Sequence, residues 1–237
     1  MIRARFDLLE REKLVEGSQK ALWSNEGKLG QEYLFEKRRL HEATIRKFCL
    51  GYVPSNTNHQ LANRIIFPIY DPSGNLVAVS SRSLGGYSPL PVYWHESFNK
   101  SFYLYGMNVS KDKIRKTGFV TVCEGNFDVI KCHDQGFTNV VGLLGTSFNE
   151  THIPVLLRYC ENVIFVFDND DNQAGQKAGK KTHKMLSEYN SQGTSLLNFR
   201  FVHIEGANDP DEYIDKYGIL SLKQMVKKER DELNVGF

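Results

Sequence analysis

Carboxylates that directly follow apolar runs are the feature that most constrains this chain of 237 residues. The runs Phe119–Cys123 and Val163–Phe167 are short and rich in β-branched and aromatic residues, and helical stretches lie between them. Such runs are typical of parallel strands in an α/β sheet. Glu124 follows the first run and Asp168 follows the second. Because ligands of these sheets bind just beyond the carboxyl ends of the strands, we expect the acids to meet at one edge.

Three acidic clusters together predict a divalent-metal site. Carboxylates brought this close repel one another strongly unless a cation neutralises them. Carboxylate oxygens are hard ligands that favour Mg²⁺ or Mn²⁺, so we expect phosphate chemistry. The clusters consist of Glu124 with Asp128, Asp168 with Asp170, and Asp209 with Asp211.

Each cluster by itself also has a simpler explanation. An Asp after a strand is often a helix N-cap or a turn residue. For Asp209–Asp211 alone we favour the turn, and for Asp168–Asp171 alone a turn and a metal site are equally good explanations. The repetition of acids on successive strands is what favours the metal site.

Charge is divided unequally along the chain. Residues 1–118 hold 18 Lys and Arg against 11 Asp and Glu, whereas residues 119–237 hold 12 against 17. A basic part beside an acidic part suits a protein that binds a polyanion with one and a metal with the other. Chance variation in surface charge explains a difference of this size as well, so it supports nucleic-acid binding only modestly.

Composition argues against several classes of protein. No apolar stretch is long enough to span a membrane, and the first seven residues lack the apolar core of a secretory signal. The four cysteines are far apart and form no C-x-x-C pair, which argues against a zinc ribbon and a disulfide framework. We therefore expect a cytoplasmic protein with reduced thiols, no zinc and no membrane contact.

Periodicity predicts three regions. Residues 1–60 are predicted to be mostly helical, with Gly51–Pro54 ending the last helix. A hairpin is predicted over residues 64–82, because Asp71–Asn75 is a strong turn signal between two apolar runs. Aromatic strands follow at 93–95 and 102–105. The alternating part has predicted strands near 119–123, 139–143, 162–167 and 198–204, and helices near 126–135, 149–160 and 174–190.

The acidic motifs resemble those of Toprim domains, and the upstream motifs resemble the catalytic core of bacterial and phage DnaG-type primases. The resemblance covers about residues 25–220. The acidic motifs are Val122–Ile130, Leu144–Ser147, Phe167–Asp170 and Asn208–Asp211. The upstream motifs are Gln31–Arg38, Phe48–Pro54, Asn63–Asp71, Ser81–Leu84 and Phe98–Gly106.

This resemblance implies an α/β fold with three parts. A basic mixed α/β subdomain is expected over residues 1–117, and a Toprim-type parallel sheet flanked by helices over 118–206. A short helical tail is expected over 207–237.

The resemblance also implies roles for individual residues. Glu124, Asp168 and Asp170 are expected to be catalytic and to bind metal. Asp128, Asp209 and Asp211 resemble the outer acids of the metal site. Arg82 and Lys100 resemble residues that contact nucleotide phosphates or the template. Arg64 is a further candidate for that contact, with a solvent-facing strand position as a competing interpretation.

The activity implied is that of a primase. The chain would synthesise short RNA primers from NTPs on a single-stranded DNA template, by two-metal nucleotidyl transfer. A replicative helicase and a separate zinc-binding protein are the expected partners. The alternatives are a Toprim-type metal-dependent nuclease, which would use the same acids for hydrolysis, and a non-catalytic nucleic-acid-binding subunit of a replisome.

Overall fold

The chain forms two compact units, residues 1–98 and 99–237. The computed structural model describes residues 5–86, 89–145, 147–169, 174–193 and 197–233, with only the backbone described at 174–176. Residues 99–117 group with the second unit, and the domain boundaries expected from the sequence stay a prediction. Within these described ranges, no helix combines the length and the apolarity needed to cross a bilayer.

The first unit contains an antiparallel sheet with helices packed against it. The strands, in spatial order, are β1 (Gly51–Val53), β2 (Arg64–Tyr70), β3 (Leu76–Ser83) and β4 (Tyr93–His95). The α-helices are α1 (Leu8–Leu22), α2 (Lys28–Glu32) and α3 (Glu42–Lys47). A π-helical turn, Tyr33–Lys37, continues directly from α2.

Local signals account for the hairpin and for the start of the first helix. The Asp71 side chain accepts hydrogen bonds from the backbone N–H groups of Ser73 and Asn75, which closes the turn between β2 and β3. Asp7 caps α1 by accepting from the Glu10 N–H, and the Glu10 side chain accepts from the Asp7 N–H in return. The hairpin therefore forms at the turn predicted for it, and the capping residues account for where α1 begins.

A buried ion pair fastens α1 to the sheet. The Glu96 carboxylate accepts from Nε of Arg11 at 3.0 Å and from Nη2 of Arg11 at 2.8 Å. It also accepts from the backbone N–H groups of Phe6 and Val79. Glu96 is therefore fully satisfied although it is buried, and its hydrogen bonds raise the pKa of the Arg11 guanidinium.

The second unit is built on a parallel sheet. Its strands, in spatial order, are β6 (Val140–Gly142), β5 (Phe119–Cys123), β7 (Asn162–Phe167) and β8 (Asn198–His203). Its α-helices are α4 (Met107–Thr117), α5 (Asn126–Asp134), α6 (Ile153–Leu157), α7 (Ala174–Ser191), α8 (Pro210–Tyr217) and α9 (Ile219–Leu233). The two central strands, β5 and β7, are almost entirely buried, which explains why they are continuous apolar runs rather than alternating ones.

The α/β architecture and the parallel sheet confirm the fold predicted from the sequence. Three local predictions were wrong. Gly51–Val53 forms strand β1, paired with β2, instead of merely ending a helix. Residues 102–105 are not a strand, since Lys100–Phe102 is a 3₁₀ turn and Tyr105 makes one isolated bridge to Gly142. The helix near 149–160 is a 3₁₀ turn, Glu150–His152, followed by the short α6.

We predict that Arg11→Met destabilises the first unit by about 3–5 kcal/mol, because it leaves the Glu96 carboxylate buried without its cation. Urea unfolding followed by tryptophan fluorescence measures this, since Trp23 and Trp94 both lie in this unit.

Lys20→Met is the matched control, because it breaks a pair with Glu16 in which both side chains are mostly exposed, at 75% and 67%. It should change stability by less than about 1 kcal/mol. Similar losses in the two variants would contradict the importance of the buried pair. Replacing both partners, as Arg11→Met with Glu96→Gln, should recover part of the loss.

Candidate active site

Glu124 and Asp168 lie side by side at the carboxyl edge of the parallel sheet. Glu124 follows β5 and Asp168 follows β7, and these strands are direct neighbours. The backbone N–H of Asp168 donates to Oε1 of Glu124 at 3.2 Å. Both side chains are partly exposed, so the edge is open to a ligand. The backbone at Asn169 is fixed in turn, since its N–H donates to the Asn208 carbonyl at 2.7 Å.

Asp128 joins this edge from the first turn of α5. Its carboxylate is buried and accepts two backbone N–H groups, from Gly125 at 2.9 Å and from Asp211 at 3.2 Å. The second of these hydrogen bonds connects α5 with α8, which carries the third acidic cluster. Asp128 therefore links two of the three clusters through a backbone contact.

The third cluster forms the start of α8. Asp209 is the N-cap, and its Oδ1 accepts from the Glu212 N–H at 2.7 Å, with Pro210 at the first helical position. The turn interpretation that we favoured for Asp209 alone is therefore consistent with its geometry. Asp211 is buried in the first turn of the helix. Capping here positions the acids beside Asp128 and does not exclude a second role for them.

The acids lie close enough to affect one another electrostatically. Burial raises the pKa of the Asp128 carboxyl well above its usual range, and the negative charges of Asp168, Asp209 and Asp211 raise it further. The Gly125 N–H opposes this rise by stabilising the charged form. A set of mutually repelling oxygen donors at one sheet edge fits a hard divalent cation.

Asp170, one of the predicted metal ligands, lies outside the described residues. Among the residues that are described, no three acidic, His or Cys side chains converge into a complete metal-binding group. The residues present fit a divalent cation by donor type and by charge, and the ligand set itself stays a prediction.

A cluster of cationic and aromatic side chains surrounds Arg82 in the first unit. The Arg82 guanidinium lies 4.8 Å from the ring centroid of Tyr33 and 5.5 Å from that of Tyr93. Its Nε donates to the Tyr93 hydroxyl at 3.1 Å. Arg38 lies 5.5 Å from the same Tyr33 ring and donates to the Tyr33 hydroxyl at 2.8 Å. Arg82 is therefore held in place by rings and remains partly exposed.

Tyr33, Arg38 and Tyr93 were missed as site candidates in the sequence. Their sequence gives only one local signal. Tyr33 and Arg38 are five positions apart, on the π-helical turn Tyr33–Lys37 and its C-cap. A regular α-helix would not have placed the two side chains together at that spacing.

Arg64 lies in a different environment from Arg82. Its guanidinium is buried, and it donates to the Ser81 hydroxyl at 2.8 Å and to the carbonyls of Pro91 and Val92 at 2.6 and 2.8 Å. Burial lowers its pKa. The solvent-facing position that we considered is therefore wrong, because these bonds draw the side chain inward. A contact of Arg64 with nucleic acid stays a prediction.

Lys100 lies in the second unit, at the start of the 3₁₀ turn Lys100–Phe102. The Thr151 hydroxyl donates to the Ser101 carbonyl at 2.8 Å, so the segment after β6 holds this turn in place. Partial burial lowers the pKa of the Lys100 ammonium. The backbone of Lys100 is therefore held in place, while its ammonium group stays partly exposed.

We predict that Asp128→Asn stabilises the metal-free protein at pH 8. The pKa of Asp128 in the folded state lies above its unfolded value, so the associated stability is complete below about pH 3.8 and is lost as the pH rises through the folded pKa. The neutral amide avoids that loss, and we expect this gain to exceed the cost of the one backbone N–H that its nitrogen cannot accept. In a chelator, the variant should therefore melt several degrees above the wild type at pH 8, with a smaller difference at pH 5.

Asp112→Asn serves as the control, because the Asp112 side chain is 86% exposed, and it should melt like the wild type. A melting temperature of Asp128→Asn equal to or below that of the wild type at pH 8 would refute the electrostatic argument.

Comparisons with known proteins agree on one family. A family model for Toprim-like domains matches residues 121–214. A DNA primase of Synechococcus elongatus is 27% identical over 238 residues, covering 86% of this chain and 34% of the relative. A DNA primase of Campylobacter jejuni is 37% identical over 158 residues, covering 65% of this chain and 24% of the relative. The chain thus spans about a quarter to about a third of the length of these relatives.

The fold agrees with the sequence comparison. A solved structure of a DnaG primase catalytic domain bound to single-stranded DNA matches with a TM-score of 0.79 and 25% identity. The match covers 92% of this chain and 79% of that structure. By sequence and by fold, the chain therefore contains a Toprim domain and belongs with the catalytic cores of DnaG-type primases.

Proposed function

We propose that the chain is the catalytic core of a primase and joins ribonucleotides into short RNA primers on single-stranded DNA. The observation that carries this proposal is that Glu124, Asp128 and Asp168 lie at the carboxyl edge of a Toprim-like sheet, where the backbone N–H groups of Asp168 and Asp211 donate to Glu124 and Asp128. The likeness of 92% of this chain to a primase catalytic domain solved with bound single-stranded DNA supports the choice of reaction and template.

Each group of residues has a distinct task in this proposal. Glu124, Asp168 and Asp170 hold Mg²⁺ or Mn²⁺, and Asp128, Asp209 and Asp211 complete the acidic surroundings. Bound divalent cations would lower the pKa of the attacking 3′ hydroxyl and stabilise charge on the attacking and leaving oxygens.

The basic residues bind the polyanions. Arg82, fixed between the Tyr33 and Tyr93 rings, is already oriented to donate to phosphate oxygens, so little side-chain entropy is lost on binding. Lys100 offsets the charge of the nucleotide triphosphate. Arg64 supports the part of the first unit that carries Arg82 from within, through its bonds to Ser81 and to the Pro91 and Val92 carbonyls. A replicative helicase and a separate zinc-binding protein are proposed to stimulate the reaction in the cytoplasm.

We predict that Asp168→Asn abolishes primer synthesis while the fold stays intact, because it removes a ligand charge from a group of repelling carboxylates. Mn²⁺ should raise the melting temperature of the wild type and raise that of the variant much less. Labelled products formed from single-stranded DNA, NTPs and Mg²⁺, together with thermal melts, measure both effects. Equal stabilisation by Mn²⁺ in the two proteins would exclude Asp168 as a ligand.

We predict that Lys100→Ala raises the apparent KM for NTPs or slows synthesis, and leaves stabilisation by Mn²⁺ unchanged. Lys113→Ala, on the exposed face of α4, is the matched control and should behave like the wild type. Binding of single-stranded DNA should weaken steeply with salt, because Lys and Arg contacts to phosphates release counterions. A Lys100→Ala variant with wild-type kinetics would remove Lys100 from the nucleotide site.

The same assay separates the competing activities. A nuclease would shorten the single strand in the presence of metal without any NTP. A non-catalytic subunit would bind the strand and neither shorten it nor yield labelled oligonucleotides when partner proteins are supplied. Either result would reject the proposed primase activity.

A further inference from the structure

A buried lysine lies inside the acidic region. Lys131, on α5, is 2% exposed, and it follows Asp128 by three residues, so the two side chains project from the same face of the helix. Among the described residues, it is the one lysine buried to this degree. A cation withdrawn from water is costly unless negative groups compensate for the loss of hydration, so its position needs a specific explanation.

Two carboxylates of α8 compensate for that cost. The Lys131 Nζ lies 2.6 Å from Oδ1 of Asp215 and 3.9 Å from Oδ1 of Asp211. Asp211 and Asp215 are four residues apart, so they share one face of α8. The backbone N–H of Asp211 meanwhile donates to Asp128. The contact between α5 and α8 therefore pairs Lys131 of α5 with Asp211 and Asp215 of α8, and Asp128 of α5 with the backbone of Asp211.

The two carboxylates differ in exposure to water, and therefore in how much the positive charge of Lys131 stabilises each of them. Asp215 keeps 34% of its side chain exposed and is partly solvated by water. Asp211 is buried beside Asp128, in the region where the acidic side chains repel one another. Packing between α5 and α8 alone would be served by an apolar side chain. A buried ammonium at this point instead adds one fixed positive charge next to a predicted metal ligand.

We propose that Lys131 is a positioning residue that acts as an internal cation for the acidic cluster. It orients the Asp211 carboxylate, and it lowers the affinity of the cluster for divalent metal by offsetting part of its negative charge. Asp215 moderates this effect, because it holds the ammonium at the shorter distance and away from Asp211. This inference rests on the proposed function, in which the cluster holds divalent cations.

Two substitutions should then change metal affinity in opposite directions. Lys131→Met keeps a similar side-chain volume and removes the positive charge, so the dissociation constant for Mn²⁺ should fall roughly three- to tenfold. Asp215→Asn removes the competing carboxylate, so the ammonium pairs more fully with Asp211 and the dissociation constant should rise roughly twofold or more. A purely structural lysine gives no reason for tighter binding in the first variant.

The experiment is a titration of metal-free protein with Mn²⁺ alone, at constant ionic strength, with free Mn²⁺ measured by electron paramagnetic resonance. Lys223→Met is the matched control. It removes the same charge from the same unit, and the Lys223 Nζ contacts the Gln135 carbonyl at the far end of α5. Its dissociation constant should stay within about twofold of the wild-type value.

The double variant Lys131→Met with Asp215→Asn keeps the inference testable if Lys131→Met does not fold, because it leaves no unpaired Asp215. It should bind Mn²⁺ more tightly than Asp215→Asn alone. Binding by Lys131→Met equal to or weaker than wild type, or by the double variant equal to or weaker than Asp215→Asn, would overturn the inference. Failure of the wild type to bind Mn²⁺ would overturn the proposed function together with it.

Discussion

Repulsion among carboxylates at one sheet edge is the constraint on which the second unit depends. The fold brings acids from β5, β7 and α8 together before any ligand binds, and burial and neighbouring charges keep the pKa of Asp128 high. Backbone N–H groups of Gly125 and Asp211 and the ammonium of Lys131 are the protein's own compensation. The repulsion that remains lowers stability at this edge, and a cation bound at the proposed metal site would relieve it.

In the first unit, cationic side chains rather than carboxylates are held in fixed positions. Arg11 and Arg64 are both buried. Arg11 pairs with Glu96, and Arg64 donates to the Ser81 hydroxyl and to backbone carbonyls, so both serve the framework. Arg82 is instead restrained by the faces of Tyr33 and Tyr93. An aromatic face holds a guanidinium without consuming all of its donors, so Arg82 stays able to bind a phosphate oxygen.

The parts that the sequence predicted well depend on local and strongly patterned signals. The buried strands β5 and β7 and the hairpin turn at Asp71–Asn75 follow from apolar runs and turn residues. Strand β1 was missed, because a segment of three residues is too short to show a hydrophobic period. Its structure depends on its pairing with β2. For the same reason, the single bridge at Tyr105 could not be distinguished from a strand.

Burial of charge is what the sequence could not reveal about the candidate site. Arg64 and Arg82 both lie on the hairpin, yet two of the acceptors that hold Arg64 inside are the carbonyls of residues 91 and 92, far along the chain. Lys131 looks like an ordinary charged residue of an amphipathic helix until α8 places Asp211 and Asp215 against it. The environments of these cations are set by long-range contacts, whereas Glu124 and Asp168 directly follow strands β5 and β7. The proximity of those two acids could therefore be predicted from one sequence, and the environments of the cations could not.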